Sequence, residues 1–232
     1  MAEEGQARGE ANCRAGKQSM TAQELLSETW RQLAARHGVS AGPVQAVLEE
    51  LIGAYVEPAR QYHTLEHIAA LLRQLDEHGD GVIDHDAVAL AILFHDVVYD
   101  ARRQDNEQAS AAVARQRLTA LGFATDVIDK VAAYIEATQH GRKLDAVADP
   151  DLALLLDLDL STLAAPPDVY RRYASAIRGE YAHVPDALYR SGRRQILDGF
   201  LARERIYRTE RLHALWEARA RANLSEEIAG LR

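Results

Sequence analysis

A single cysteine, Cys13, stands in 232 residues. That excludes a disulfide within the chain and any cysteine-built metal site, and it fits a cytoplasmic location. No apolar run approaches the ~20 residues a membrane span needs, so no membrane partner is expected. Met1 to Ser19 are small and charged and lack the apolar stretch of a secretory signal. Residues 1–19 are therefore expected to be a disordered N-terminal tail, and residues 20–232 the folded domain. Basic charge is also short. The net charge of −8 argues against a nucleic-acid partner, which normally requires a basic face. Neither the apolar–polar alternation of β-strands nor an internal repeat is present.

What is present is helical periodicity. Thr21 predicts the cap of a helix through Leu25, Leu26, Trp30 and Leu33, stopped by Gly38. Further helices are expected over Pro43–Tyr55, through Ile68, Leu71, Leu72 and Leu75 to near Gly79, and over about Asp84–Tyr99. Beyond these come Asn106–Leu121, Thr125–Gln139, Asp149–Leu163, Pro166 to about Tyr181, Pro185–Phe200, and one or two more from Thr209. The fold class is all-α, a single-domain helical bundle.

The chemistry centres on Val88 to Val98, which read Val-Ala-Leu-Ala-Ile-Leu-Phe-His-Asp-Val-Val. Such a run belongs inside a protein. There the adjacent His95 and Asp96 carry a large desolvation cost unless they are paired with a partner or a cation. His63 and His67, four apart, would share a helix face, and His67 continues the buried stripe of Leu71 and Leu75. Asp159 is at helical spacing from Leu152, Leu155, Leu156 and Leu163. Asp157 lies on a neighbouring face and is balanced between ligand and helix-surface carboxylate. Two imidazoles and two carboxylates suit a divalent ion with open positions: Mn²⁺, Fe²⁺, Co²⁺, Ni²⁺ or Mg²⁺ rather than a closed tetrahedral zinc site.

The ordered set His67, His95-Asp96, Asp159 resembles the HD-domain superfamily of metal-dependent phosphohydrolases. Tyr62-His63-Thr64-Leu65-Glu66-His67 is similar to a Tyr-His-Asn-x-x-His segment of the cyclic-nucleotide phosphodiesterases. Thr64 departs from that pattern at the Asn. Arg60-x-Tyr62-His63, Phe94 to Tyr99, Asp105-Asn106-Glu107 and Asp157-Leu158-Asp159-Leu160 resemble the hallmarks of a bacterial family of HD phosphohydrolases. The resemblance implies an HD-type bundle with His67, His95, Asp96 and Asp159 as metal ligands. It also implies catalytic roles for Asp96, on the attacking water, and for His63, as proton donor to the leaving oxygen.

Other candidates are more open. Glu107 could hold a water or a ligand histidine, or be an ordinary acidic residue at a helix start. His140 could contact phosphate or a second metal, or cap a helix. Arg60, Arg178 and Arg193 are candidate phosphate clamps, against the plainer reading of surface ion pairs. The expected substrate is a small phosphoester, of a nucleotide or related metabolite. Two alternatives stay open: a non-catalytic nucleotide-sensing module and a di-iron oxygenase. A homodimer through the C-terminal helices is expected from Leu212, Leu215 and Trp216.

Overall fold

Thr21 opens the first helix by a reciprocal cap. Its hydroxyl accepts from Glu24 N–H, and the Glu24 carboxylate accepts from Thr21 N–H. The helix, α1 (Ala22–Arg36), ends before Gly38, which takes the positive φ of 70° that glycine tolerates. The computed structural model describes residues 19–139 and 147–231. Among the described residues nine more α-helices follow: α2 (Ala41–Tyr55), α3 (Leu65–His78), α4 (His85–Phe94), α5 (Asn106–Ala120) and α6 (Thr125–Ala137). Then come α7 (Pro150–Asp159), α8 (Pro167–Glu180), α9 (Asp186–Leu201) and α10 (Glu210–Gly230). There is no strand among them, so the all-α bundle is confirmed. None of these helices is long and apolar enough to cross a membrane. The expected tail, apart from Ser19, and His140 lie outside the described residues.

Helix α4 is the axis of the bundle. Every residue from Ala87 to Phe94 is buried, because α1, α3, α5, α6 and α7 surround it. Asp84 caps its start through Ala87 N–H, and Asp151 of α7 accepts from Ile83 and Asp84 N–H. Trp30 of α1 closes the core beside it. The indole is fully buried, meets Phe94 edge-on at 5.9 Å, and donates Nε1–H to Val44 O at 2.9 Å.

Three helix ends near the site differ from the sequence reading in ways that bear on it. α4 stops at Phe94, well short of Tyr99, so His95 is its C-cap and Asp96 lies in the following turn. The carbonyls of Asp96 and Val97 accept from Arg60 instead of continuing the helix. α3 starts at Leu65, so His63 sits in the loop ahead of it and not on a shared helix face with His67. α7 ends at Asp159, and a 3-10 turn, Ser161–Ala164, takes over where a continuous helix was expected. Tyr207 O–H holds that exit by donating to Leu160 O. Of the C-terminal apolar residues, Leu212 and Trp216 are buried and only Leu215 is well exposed.

Trp30→Ala should empty this part of the core and lower stability by about 3–5 kcal/mol. Urea unfolding followed by circular dichroism measures it.

Candidate metal centre

The apolar sequence of α4 delivers His95 to a place from which water is excluded. His95 Nδ1 lies 2.9 Å from Ile92 O. A carbonyl only accepts, so Nδ1 carries the hydrogen and Nε2 faces inward. That Nε2 is buried and makes no hydrogen bond, although Asp96 Oδ2 is 3.0 Å away and Asp159 Oδ1 is 3.5 Å away. His67 Nε2, from the start of α3, is 3.6 Å from each of the same two oxygens. The candidate ligand atoms of His67, His95 and Asp96 all lie within 4.8 Å of one another. Asp159 Oδ1 is not part of that mutually close group, but it faces both imidazole nitrogens, at 3.6 and 3.5 Å. A neutral His95 would turn its lone pair onto two carboxylates, so either a proton on Nε2 or a bound cation offsets them. The donors fit a divalent ion of borderline or hard character.

The electrostatics follow from that crowding. Burial opposes charge on His95, but Asp96 and Asp159 outweigh it and raise its pKa well above the ordinary value. Burial dominates at His67 and lowers its pKa. Burial would raise Asp96, yet the imidazoles of His95, His63 and His67 hold it well below the usual carboxylate range. The two imidazole side chains are 4% and 3% exposed, the carboxylates of Asp96 and Asp159 15% and 11%. The centre therefore opens on its carboxylate side.

His63 stands beside this cluster, its ring 6.0 Å from that of His67. Its orientation comes from a residue that sequence reasoning did not single out, Glu180. One Glu180 oxygen accepts from the N–H groups of Gln61, Tyr62 and His63 at 2.8, 2.8 and 3.1 Å. The other accepts from His63 Nδ1 and Tyr99 O–H, both at 2.8 Å. Burial would raise the Glu180 pKa, but His63 and these N–H donors bring it down to about 2. His63 Nε2 is left as the nitrogen available to a ligand. Glu180 ends α8, 117 residues from His63. Its only sequence signal was a carboxylate within an otherwise basic, aromatic stretch.

The remaining candidates are placed elsewhere. Asp157, fully buried, accepts from Arg208 N–H, Thr209 N–H and the Thr209 hydroxyl, which anchors the start of α10. Burial outweighs those bonds and raises its pKa. It is a structural carboxylate, and Asp159 is the one that faces the imidazoles. Glu107, in the first turn of α5, lies outside the ligand group and beside Tyr181. Burial and Glu180 raise the Tyr181 pKa, and the charge of Glu107 adds to that. The adjoining Asp105 pairs with Arg103, and Asn106 staples the loop to Asp100.

None of the three arginines is poised as a free phosphate clamp. Arg60 is spent on Glu57 and on the carbonyls of His63, Asp96 and Val97. Arg178 donates to Tyr181 O and Val184 O and lies over the Tyr189 ring. It lines a cavity of about 370 Å³ between α8, α9 and α10. Arg193 is buried in a two-bond pair with Glu227, at 2.7 and 3.1 Å.

Two outcomes are expected. Asp159→Ala should weaken Mn²⁺ binding while Asp157→Ala lowers the melting temperature and leaves Mn²⁺ affinity intact; calorimetric titration and a thermal melt separate the two. The depressed pKa of Glu180 contributes stability that is fully present above its unfolded value near 4.5. That stability is lost as pH falls toward about 2. Denaturant titrations from pH 6 to 3 should therefore show the gap between wild type and Glu180→Gln closing below pH 4.5.

Comparisons of the chain with protein-family models, with curated proteins and with solved structures return no match.

Proposed function

We propose that the chain is a divalent-metal-dependent phosphohydrolase acting on a small phosphoester. The observation that carries this reading is the approach of His67 Nε2, His95 Nε2, Asp96 Oδ2 and Asp159 Oδ1 within 3.0–3.6 Å across the imidazole–carboxylate pairs. It is supported by His63 alongside, fixed by Glu180. His67, His95, Asp96 and Asp159 would hold the ion, identified by class as Mn²⁺, Fe²⁺, Co²⁺, Ni²⁺ or Mg²⁺. When bound, such an ion supplies charge neutralisation for a phosphoryl group and a nucleophile at neutral pH.

The chain's own residues supply the rest. Asp96, partly open to solvent, is placed to accept a hydrogen bond from the attacking water and align it. His63 presents Nε2 to the leaving oxygen as its proton donor, while Glu180 holds Nδ1 from behind at 2.8 Å. The stacked Tyr99 ring, 3.9 Å from that of His63, covers one face and excludes water from it. Phosphoryl transfer needs mainly such positioning and neutralisation.

Protein purified with added Mn²⁺ and assayed across nucleotides, cyclic nucleotides and sugar phosphates should release phosphate or monoester from one substrate class. Asp96→Ala should lose that turnover by at least ~100-fold. His63→Asn should spare esters with a nitrophenyl leaving group relative to alkyl esters, because only the latter need the proton. No turnover by Mn²⁺-loaded wild type anywhere in the panel refutes the reading.

A further inference from the structure

The guanidinium of Arg60 touches the main chain of both functional segments. Its side chain is 1% exposed and lies against the rings of Tyr55 and Tyr99, at 5.3 and 5.7 Å. Nη1 donates to His63 O at 3.3 Å and to Asp96 O at 2.6 Å, Nη2 to Val97 O at 3.0 Å, and Nε to Glu57 at 3.2 Å. These carbonyls belong to the proton donor, to the ligand aspartate and to its neighbour. The last carbonyls of a helix lack partners within it, and a cation near that end is favoured by the helix dipole. The turn after α4 thus offers acceptors that a planar fork of five N–H groups can collect at once.

We infer that Arg60 is a positioning residue, which locks the His63 loop to the Asp96 turn and so fixes the separation between proton donor and metal ligand. The inference rests on the reading of the centre proposed above. Lysine cannot replace it, because one ammonium on a flexible stem cannot hold three divergent carbonyls in plane. Its burial and its engaged donors favour this role over direct contact with a substrate.

Arg221 provides an internal control for a purely structural clamp. It holds Leu201 O, Arg203 O and Glu204 O through its Nη atoms and Glu217 through Nε. Its partners are the end of α9, the loop after it and Glu217 of α10, and they include none of the candidate ligands.

Arg60→Lys and Arg221→Lys are compared in the full chain by three readouts. These are melting temperature, Mn²⁺ affinity from the electron paramagnetic resonance of free ion, and the imidazole ¹⁵N signals of His63 in metal-free protein, assigned with His63→Asn. Both variants should lose thermal stability. Only Arg60→Lys should weaken Mn²⁺ binding, by ~10-fold, and shift the His63 signals. Equal Mn²⁺ affinity and unmoved His63 signals in Arg60→Lys overturn the inference.

If Arg60→Lys does not fold, Glu57→Gln decides. Glu57 is 54% exposed and steers Nε from outside, so its loss should move the His63 signals and weaken Mn²⁺ binding ~3-fold, less than the ~10-fold or more lost when a group bonded to a ligand is removed, because Glu57 acts through Arg60. No change in either overturns the inference. Wild type that binds no Mn²⁺ refutes the metal reading itself, and the His63 signals alone then judge Arg60. Wild type that binds Mn²⁺ without turnover refutes only the hydrolase reading.

Discussion

Two carboxylates and two imidazoles share a corner from which water is nearly excluded, and the rest of the centre is arranged around their mutual electrostatics. In such surroundings like charges repel strongly, and a lone pair facing a carboxylate has no solvent to relieve it. Helix α4 creates the condition by carrying only apolar residues from Ala87 to Phe94. The Nδ1–H bond of His95 to Ile92 O then fixes which nitrogen is turned inward. Once that nitrogen faces Asp96 and Asp159, the corner is balanced by a proton on the imidazole or by a bound cation. The packing of the core brings these groups together independently, so a cation that bound there would meet donors already assembled by the fold.

A second polar system lies against the first and is kept apart from it. Glu180, with His63, Tyr99 and three backbone N–H groups, forms a satisfied network whose carboxylate is only 1% exposed. The ring of Tyr62 stands between the two systems, 5.0 Å from the His63 ring and 4.7 Å from the His67 ring. Tyr173 backs it at 4.6 Å. A network left half satisfied at this depth would be expensive. The complete set of partners on Glu180 explains how a carboxylate persists in its ionised form there.

How far the sequence revealed this depended on the range over which each signal acts. His67 and Asp159 could be placed because local periodicity puts them in line with Leu71, Leu75, Leu152 and Leu155. His95 and Asp96 stood out because they interrupt an apolar run. Local pattern could not separate Asp157 from Asp159, since the partners that claim Asp157 are on Arg208 and Thr209, about fifty residues further on. Glu180 was invisible for the same reason, and so was the function of Arg60, whose acceptors are backbone carbonyls that carry no residue identity. The end of α4 was overestimated because apolar character continues through Val97 and Val98 while the backbone turns away. Periodicity reports burial, and here burial outlasts the helix.

The arginines sharpen the chemistry the centre supports. Arg60, Arg178 and Arg193 each satisfy carbonyls or a carboxylate within the fold. Pulling any of them onto a substrate would leave a buried acceptor or charge without its partner, at a cost of several kcal/mol for the Arg193–Glu227 pair. On the proposed reading, neutralising a phosphoryl group would fall first to His67, His95, Asp96 and Asp159 and to His63, whose Nδ1 is held by Glu180. Those positions are set by the backbone of the Arg60 loop and the α4 turn, not by long flexible side chains. The precision of this arrangement comes from the interior of the protein, and a displacement of either segment would move His63 and Asp96 relative to one another, because Arg60 holds the carbonyls of both.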